Sequence, residues 1–454
     1  MLSLVILLQY KTVKTPVQYT IAGASASEIA ASIERGVRAG RIAHGAALPP
    51  VRALASSLKV SPATVAAAYR ALRLRGFLSG RRRQGTRVNH RPPPRLRPAV
   101  TVPPGLRDLA NGNPDPARLP ALGDALARLE FRPRLYGETI NRPRLLELAR
   151  RRFAADGVPA NSLAVMGGAL DAVERILQAH LRPGDRVAVE DPGYYEIFDL
   201  VRALGLTLEP VGVDDRGLVP DDLERVLRSG VAACILTPRA QNPTGAALDE
   251  QRARELRKLF DAYGDVLVVE DDHAGPVAGT PALTVCHRKR ENWAVVRSVS
   301  KSLGPDLRLA VVAGDDTTIA RVEGRQNIGA GWVSHILQAL VELLWSDSVT
   351  AELLRAAAEG YAERRAVLIT ALQSHGIAAR GRSGLNVWVP VSEEVGVVTS
   401  LAAAGWAVRG GERYRLKSPP AVRVTIAALL PGEAAKLAAD FAQSLRSERR
   451  SHSA

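Results

Sequence analysis

Lysine is scarce in this chain: eight occur among 454 residues, and arginine supplies most of the positive charge. Lys301 closes the tetrapeptide Ser298-Val299-Ser300-Lys301, a small, polar, loop-like setting that makes it a candidate for chemistry rather than for solubility. Three other segments could join it. Gly167-Gly168-Ala169-Leu170 reads as tight strand-to-helix packing, or as backbone N–H groups offered to a phosphate at a helix N-terminus. Asn242-Pro243-Thr244-Gly245 reads also as a turn, and Glu270-Asp271-Asp272 also as a solvated acidic loop. Singly, each is weak, and Ser298–Lys301 alone could be chance. Their order along the chain carries more.

The elements that must position these residues are legible as alternating patterns. From Asp108 onward short apolar runs alternate with helical periodicity, which predicts strands at 163–166, 186–189, 232–236, 266–269, 293–296 and 309–313. An α/β body with a mostly parallel sheet follows, and the polar or Gly-rich motifs come after the strands, where such sheets place ligands. Patterns at 349–374 and 431–445 predict helices of a smaller C-terminal α+β domain.

The series Gly168-Ala169-Leu170, Tyr194, Asn242-Pro243-Thr244-Gly245, Asp271, Ser300-Lys301, Arg308 and Arg423 resembles the fold-type I aminotransferases, which use pyridoxal 5'-phosphate (PLP). The resemblance spans about 108–445. It implies Lys301 as the Schiff-base amine, Asp271 as partner of the pyridine nitrogen, Tyr194 stacked on the ring and Asn242 at the phenolic oxygen. It places the phosphate among Ala169, Leu170, Ser298, Ser300 and Arg308, an arginine fork being well matched to phosphate. It also implies that Tyr136 reaches the phosphate of a neighbouring subunit and that Arg423, in a strand-like stretch at 422–426, pairs with an effector or substrate carboxylate. His273, a further cofactor-binding candidate, stands where the family usually has tyrosine, two residues beyond Asp271; it can still hydrogen-bond the cofactor, with altered electronics.

Charge separates a second region from this body. Residues 1–100 carry 17 Lys plus Arg against Glu28 and Glu34, whereas the remaining 354 carry 44 of each sign. A basic module on a neutral body fits a nucleic-acid-binding head, because counterion release from phosphate requires clustered cations. Ile29, Ile33 and Val37 predict a helix over 27–40, Pro50 opens a second to Leu58, and Ser61-Pro62 is an N-cap and N1 pair for a third running to Arg75. Val65, Tyr69 and Leu72 share one face of that third helix. Phe77-Leu78, Arg81-Arg82-Arg83 and Gly85-Thr86-Arg87-Val88 predict two short strands with a basic tip, the outline of a winged helix-turn-helix. These residues, with 48–55, resemble the GntR-type regulators. The resemblance implies DNA contacts from Arg52, from Ser61, Thr64 and Tyr69, and from Arg81, Arg82, Arg83 and Thr86 of the wing. Pro62 stands where that family usually carries arginine.

Head and body in this order, joined by a Pro- and Arg-rich linker at 91–107, resemble the MocR subfamily of bacterial transcription regulators. The expected domains are an extension at 1–22, disordered or preceding the true start, the head at 23–90, the linker, a body at 108–446 with its small part from about 347, and a disordered tail at 447–454. The function implied is a PLP-dependent DNA-binding regulator that senses PLP or an amine effector through an aldimine at Lys301. A catalytically active aminotransferase with an accessory DNA-binding head is the alternative, and the aminotransferase-like Asn242 keeps residual transamination open. Expected partners are double-stranded operator DNA, a small amine or amino acid, and a second copy of the chain. Two cysteines, Cys234 and Cys286, exclude a disulfide framework, neither has metal-ligand spacing, and a reducing cytoplasm, at the nucleoid, is the expected compartment. The apolar run 2–8 is too short to span a membrane.

Overall fold

The computed structural model describes residues 19–39, 41–43, 45–74, 77–81, 85–88, 102–130 and 132–451. The chain divides into two compact units, a basic head and a larger body.

In the head, α1 (Ala26–Arg38) starts at Ser25, whose hydroxyl accepts from the Glu28 N–H while the Glu28 carboxylate reaches back to the Ser25 N–H. This reciprocal cap satisfies two of the helix's orphan donors. α2 (Val51–Leu58) stops at Lys59, which turns left-handed at φ 54. α3 (Pro62–Leu74) begins at Ser61, which accepts from the Thr64 N–H at 3.1 Å. β1 (Leu78–Arg81) pairs antiparallel with β2 (Gly85–Val88), and the segment at 45–48 adds a third line of backbone bonds to β2, including Leu48 N–H to Thr86 O at 2.8 Å. Ile29, Ile33, Leu54, Val65, Tyr69, Leu72, Leu78 and Val88 form the core. The extension expected to end at residue 22 is shorter than that: Tyr19 and Ile21 pack on this core, and the Tyr19 hydroxyl donates to Ser32 O at 2.7 Å. Gly36 permits that approach, since a Cβ there would lie 2.6 Å from the Tyr19 ring. Residues 1–18, most of the linker and residues 452–454 lie outside the described residues.

The body opens with β3 (Arg107–Asp108), so Arg107 belongs to the fold rather than to the linker. Its large sheet comprises β4 (Ser162–Met166), β5 (Arg186–Asp191), β6 (Thr207–Asp214), β7 (Gly217–Leu218), β8 (Ala233–Leu236), β9 (Leu267–Asp272), β10 (Trp293–Ser298) and β11 (Ala310–Gly314), in the order β4-β11-β10-β9-β8-β5-β6-β7. β5, β8, β9 and β10 run parallel, β11 opposes its neighbours β10 and β4, and the edge strand β7 opposes β6. β8 to β11 are buried along their whole length, so β8 and β11 read as apolar runs instead of alternating ones, while β9 and β10 begin apolar and end on the buried polar groups Glu270-Asp271-Asp272 and Arg297-Ser298. A second, antiparallel sheet contains β12 (Asn386–Pro390), β14 (Arg409–Gly410) and β15 (Ala421–Thr425), while β13 (Trp406–Ala407) pairs with β3. The 27-residue helix Ser348–Ser374 packs on the last helix, Ala434–Ser451. Among the described residues no helix is long and apolar enough to cross a membrane.

Candidate functional site

The carboxyl ends of the parallel strands converge on one site. Asp271 sits near the end of β9, Ser298 ends β10 with Lys301 in the turn beyond, Gly167-Gly168 follows β4, and Asn242 lies in the segment after β8. Burial, and then the positive Arg423, push the Lys301 amine down to about 8, with Glu196 working in the opposite sense. An amine held there is partly neutral near physiological pH and so available as a nucleophile. Its Nζ donates to the carbonyl of Gly112.

Asp271 is buried, and its Oδ1 has no hydrogen-bond partner. Burial first, then the neighbouring Asp272 and Glu190, push its carboxyl up to about 7. A carboxyl left in that condition stabilises nothing within the chain, and a cationic N–H brought to Oδ1 would supply both bond and counter-charge. Asp272 has the opposite surroundings. Burial acts upward on it too, but Arg239, bonding both its oxygens at 2.9 and 2.8 Å, and Arg297 at 2.9 Å hold it well below the carboxylate range.

Gly168, at φ 110, precedes the helix Ala169–His180, whose first turn has no side-chain cap. The N–H groups of that turn therefore remain available to an anion. Arg308, itself left-handed at φ 42, lays its guanidinium so close that a Cβ on Gly168 would lie 3.0 Å from Nη2. The hydroxyls of Ser298 and Ser300 lie 2.9 Å apart. Asn242 Oδ1 accepts from Arg423 Nη1 at 3.1 Å, which leaves the Asn242 amide to donate elsewhere. Arg423, 3% exposed, also donates to Ala110 O and lies 5.0 Å from the centre of the Tyr414 ring. His273 Nε2 is 3.0 Å from Ala240 O. Tyr194 packs beside Tyr195, ring centres 5.2 Å apart, and burial followed by Glu196 raises its phenol. The turn before it is tied down by Asp191, which accepts from the N–H groups of Leu416, Lys417 and Ser418 at 2.7–3.1 Å.

Tyr136 stands apart from these groups in a single chain. It is 91% exposed and packs edge-on against Trp332. Reasoning from sequence overlooked the carbonyls of Ala110 and Gly112, which carry no side-chain signal. It also overlooked Arg239 and Arg297, although each lies within three residues of a motif that it used.

In the head, Arg52 and Ser61 are exposed and Thr64 is half-buried at the start of α3, its hydroxyl 2.9 Å from that of Ser61. Thr86 accepts from Arg73 Nη2 at 2.8 Å. Arg81 ends β1, whereas Arg82 and Arg83 lie outside the described residues. Tyr69 is corrected: it is 1% exposed, and its hydroxyl donates to Pro49 O at 2.8 Å. It anchors α3 to the segment before α2 and offers DNA nothing.

Residues 106–441 match the aminotransferase class I and II family, and residues 25–88 match the bacterial regulatory proteins of the gntR family. The vitamin B6 salvage pathway transcriptional repressor PtsJ of Salmonella typhimurium is 42% identical over 428 residues, 94% of this chain and 99% of that protein. The pyridoxine biosynthesis transcriptional regulator PdxR of Corynebacterium glutamicum is 31% identical over 261 residues, 54% of this chain and 56% of that protein. The body has the fold of the kynurenine aminotransferase of Pyrococcus horikoshii, with a TM-score of 0.70 at 21% identity over 76% of this chain and 91% of that one. Members of the aminotransferase class I and II family are typically PLP-dependent. With a gntR-type head at 25–88, an aminotransferase-type body at 106–441 and a repressor of the same build alike over almost its whole length, the chain belongs to the MocR subfamily of GntR-type transcriptional regulators.

Proposed function

We propose that this protein is a vitamin B6-responsive repressor: its body takes PLP at Lys301 as its signal, and occupancy sets the affinity of paired heads for an operator. The observation that carries this reading is the buried Asp271 Oδ1 without a partner, in the same body as a buried amine whose basicity is lowered. Bound PLP would supply an electron-withdrawing pyridinium ring and an aldehyde. The chain's own residues then have distinct tasks. Asp271 holds the proton on the ring nitrogen, Lys301 supplies the amine, and Tyr194 covers a ring face. Asn242 donates toward the phenolic oxygen. Arg308, Ser298, Ser300 and the amides of Ala169 and Leu170 grip the phosphate. Arg423 is the candidate partner of a carboxylate on any amino-acid effector.

The names of the two regulators, which point to vitamin B6 salvage and pyridoxine biosynthesis, favour PLP itself as the signal. A signal of this kind needs only unequal affinity for two conformations of the body, not turnover. The working form is a homodimer in the cytoplasm, at the nucleoid, with a second copy covering the exposed Leu135, Tyr136 and Ile328. In the head, Arg52, Ser61 and Thr64 face the DNA with the wing.

Fluorescence anisotropy on the intergenic DNA upstream of the gene, with and without PLP, tests the reading. Specific binding should change on adding PLP in the wild type and not in Lys301→Ala. If the dimer neutralises about 6–10 phosphates, affinity should fall by ~10³–10⁵ between about 50 and 200 mM salt. Equal affinity for unrelated DNA, together with Lys301-dependent consumption of amino acids, would instead establish the enzyme.

A further inference from the structure

The surroundings of His273 fix its tautomer. Nε2 lies 3.0 Å from the Ala240 carbonyl oxygen, which can only accept, so Nε2 carries the proton. That carbonyl is not free to turn. Ala240 is left-handed at φ 55, and its N–H donates to Ser383 Oγ at 3.1 Å. The residue before it, Arg239, is clamped on Asp272, and the residue after it, Gln241, donates to Glu190 and to Pro192 O. Burial, and then the charge of Lys301, push the imidazole down to about 4, so the ring is neutral. A neutral ring with its proton on Nε2 presents at Nδ1 a lone pair and no hydrogen, and among the described residues only Nε2 is engaged.

The pyridoxal skeleton decides what meets that lone pair. Its ring nitrogen and aldehyde carbon lie para to one another, and the phenolic oxygen and the phosphate arm flank the aldehyde on opposite sides. With Asp271, Lys301 and Arg308 assigned to nitrogen, aldehyde and phosphate, the resemblance gives the phenolic oxygen to Asn242 and to the position that His273 occupies here. His273 lies two residues beyond Asp271 and close enough to Lys301 to feel its charge. The Asn242 amide is a donor, because its oxygen is taken by Arg423.

We propose that His273 is a specificity-determining hydrogen-bond acceptor that keeps the phenol of the bound pyridoxal ligand protonated; this rests on the reading that PLP occupies Lys301. Two donors at that oxygen would favour phenolate. One donor and one acceptor match a hydroxyl, which accepts from Asn242 and donates to Nδ1. A neutral phenol leaves the adjoining carbon less electrophilic than a phenolate paired with a cationic nitrogen, so the site favours retaining its ligand over exchanging it among amines.

The test uses the full-length protein loaded with PLP, its absorption spectrum, and the mass on Lys301 after borohydride reduction. The wild type should show mainly the short-wavelength band of the phenol. His273→Tyr, which places a donor there, should move the dominant band to the longer wavelength of the phenolate, and His273→Phe should fall between. Should the tyrosine variant not fold, the phenylalanine variant decides: a spectrum unchanged from wild type overturns the proposal. Superimposable spectra with full pyridoxyl mass on Lys301 overturn it and leave the PLP reading standing. Absence of that mass in the wild type overturns both.

Discussion

Asp271 and Asp272 are neighbours at the end of β9, pointing to opposite faces of the strand, and both are buried. Asp272 is met by two guanidinium groups, which keep it ionised; Asp271 is met by none, and its Oδ1 is left unbonded. Identical side chains one residue apart therefore do different work. Asp272 holds β9, β10 and the segment after β8 together, whereas Asp271 Oδ1 ties nothing in the chain to β9.

The largest effect should come from breaking the clamp. Asp272→Ala leaves Arg239 buried without its carboxylate partner and Arg297 with Asp156 alone, and removing one partner of a buried pair costs about 3–5 kcal/mol. Urea denaturation of the body should show a correspondingly lower midpoint. Asp271→Asn in the cofactor-free protein should leave that midpoint unchanged or raise it, and a loss as large as that of Asp272→Ala would erase the distinction.

The contrast should invert for the cofactor. Losing a hydrogen bond to a charged group costs about 1.5–3 kcal/mol, so Asp271→Asn should weaken PLP binding roughly 10- to 150-fold by spectroscopic titration. An unchanged Kd would remove Asp271 from the ring nitrogen.

Acidity separates the two residues further. In the cofactor-free protein Asp271 is raised from 3.8 to about 7, so the folded state holds its proton more tightly than the unfolded chain does. The stability this confers is complete below 3.8 and is lost as pH rises through about 7. Glu190 and Glu270, raised from 4.5 to about 7 by burial, act in the same direction. Asp272, lowered, confers stability that is present above 3.8 and lost as pH falls through its depressed value. The melting temperature of the cofactor-free wild type should therefore decline between about pH 4 and 7 more steeply than that of Asp271→Asn, and parallel curves would contradict the assignment.

The smallest effect belongs to the head. Tyr69→Phe removes one hydrogen bond, to Pro49 O, and should cost about 0.5–1.5 kcal/mol of head stability with DNA affinity unchanged. Weakened DNA binding in a fully folded variant would restore Tyr69 to the interface.

That tyrosine also shows what the sequence made legible. Its spacing with Val65 and Leu72 marked a core face, while the resemblance marked it for DNA, and periodicity was the better guide because burial acts on every residue of a helix. Ser61 with Pro62 announced the start of α3 through a hydroxyl that bonds locally, whereas the Ser25–Glu28 pair that opens α1 was overlooked, though its spacing is a cap signal. The central strands were legible because burial on both faces makes their first residues an apolar run, with polar groups only toward the ends of β9 and β10. β6, carrying Thr207, Glu209 and Pro210 near the sheet edge, has no such signature. Lys301 could be found by its rarity and its neighbours. That Asp272 is paired and Asp271 Oδ1 is not was not written in their identity, since strand register and two arginines distant in sequence decide it; only the resemblance singled out Asp271. The carbonyls of Ala110 and Gly112 were beyond any reading of side chains.

Those two carbonyls follow directly from β3, whose partner β13 is encoded near the other end of the body. During synthesis the head, with its contacts drawn from one short stretch of chain, can fold soon after it emerges. The body cannot, because the ~300 residues from Arg107 to Trp406 take on the order of 15–60 s to make at ~5–20 residues per second. Arg423, which holds Ala110 and Asn242, emerges later still. For much of its own synthesis the protein is a finished head on an unfinished body, and the surroundings of Lys301 are among the last parts to exist.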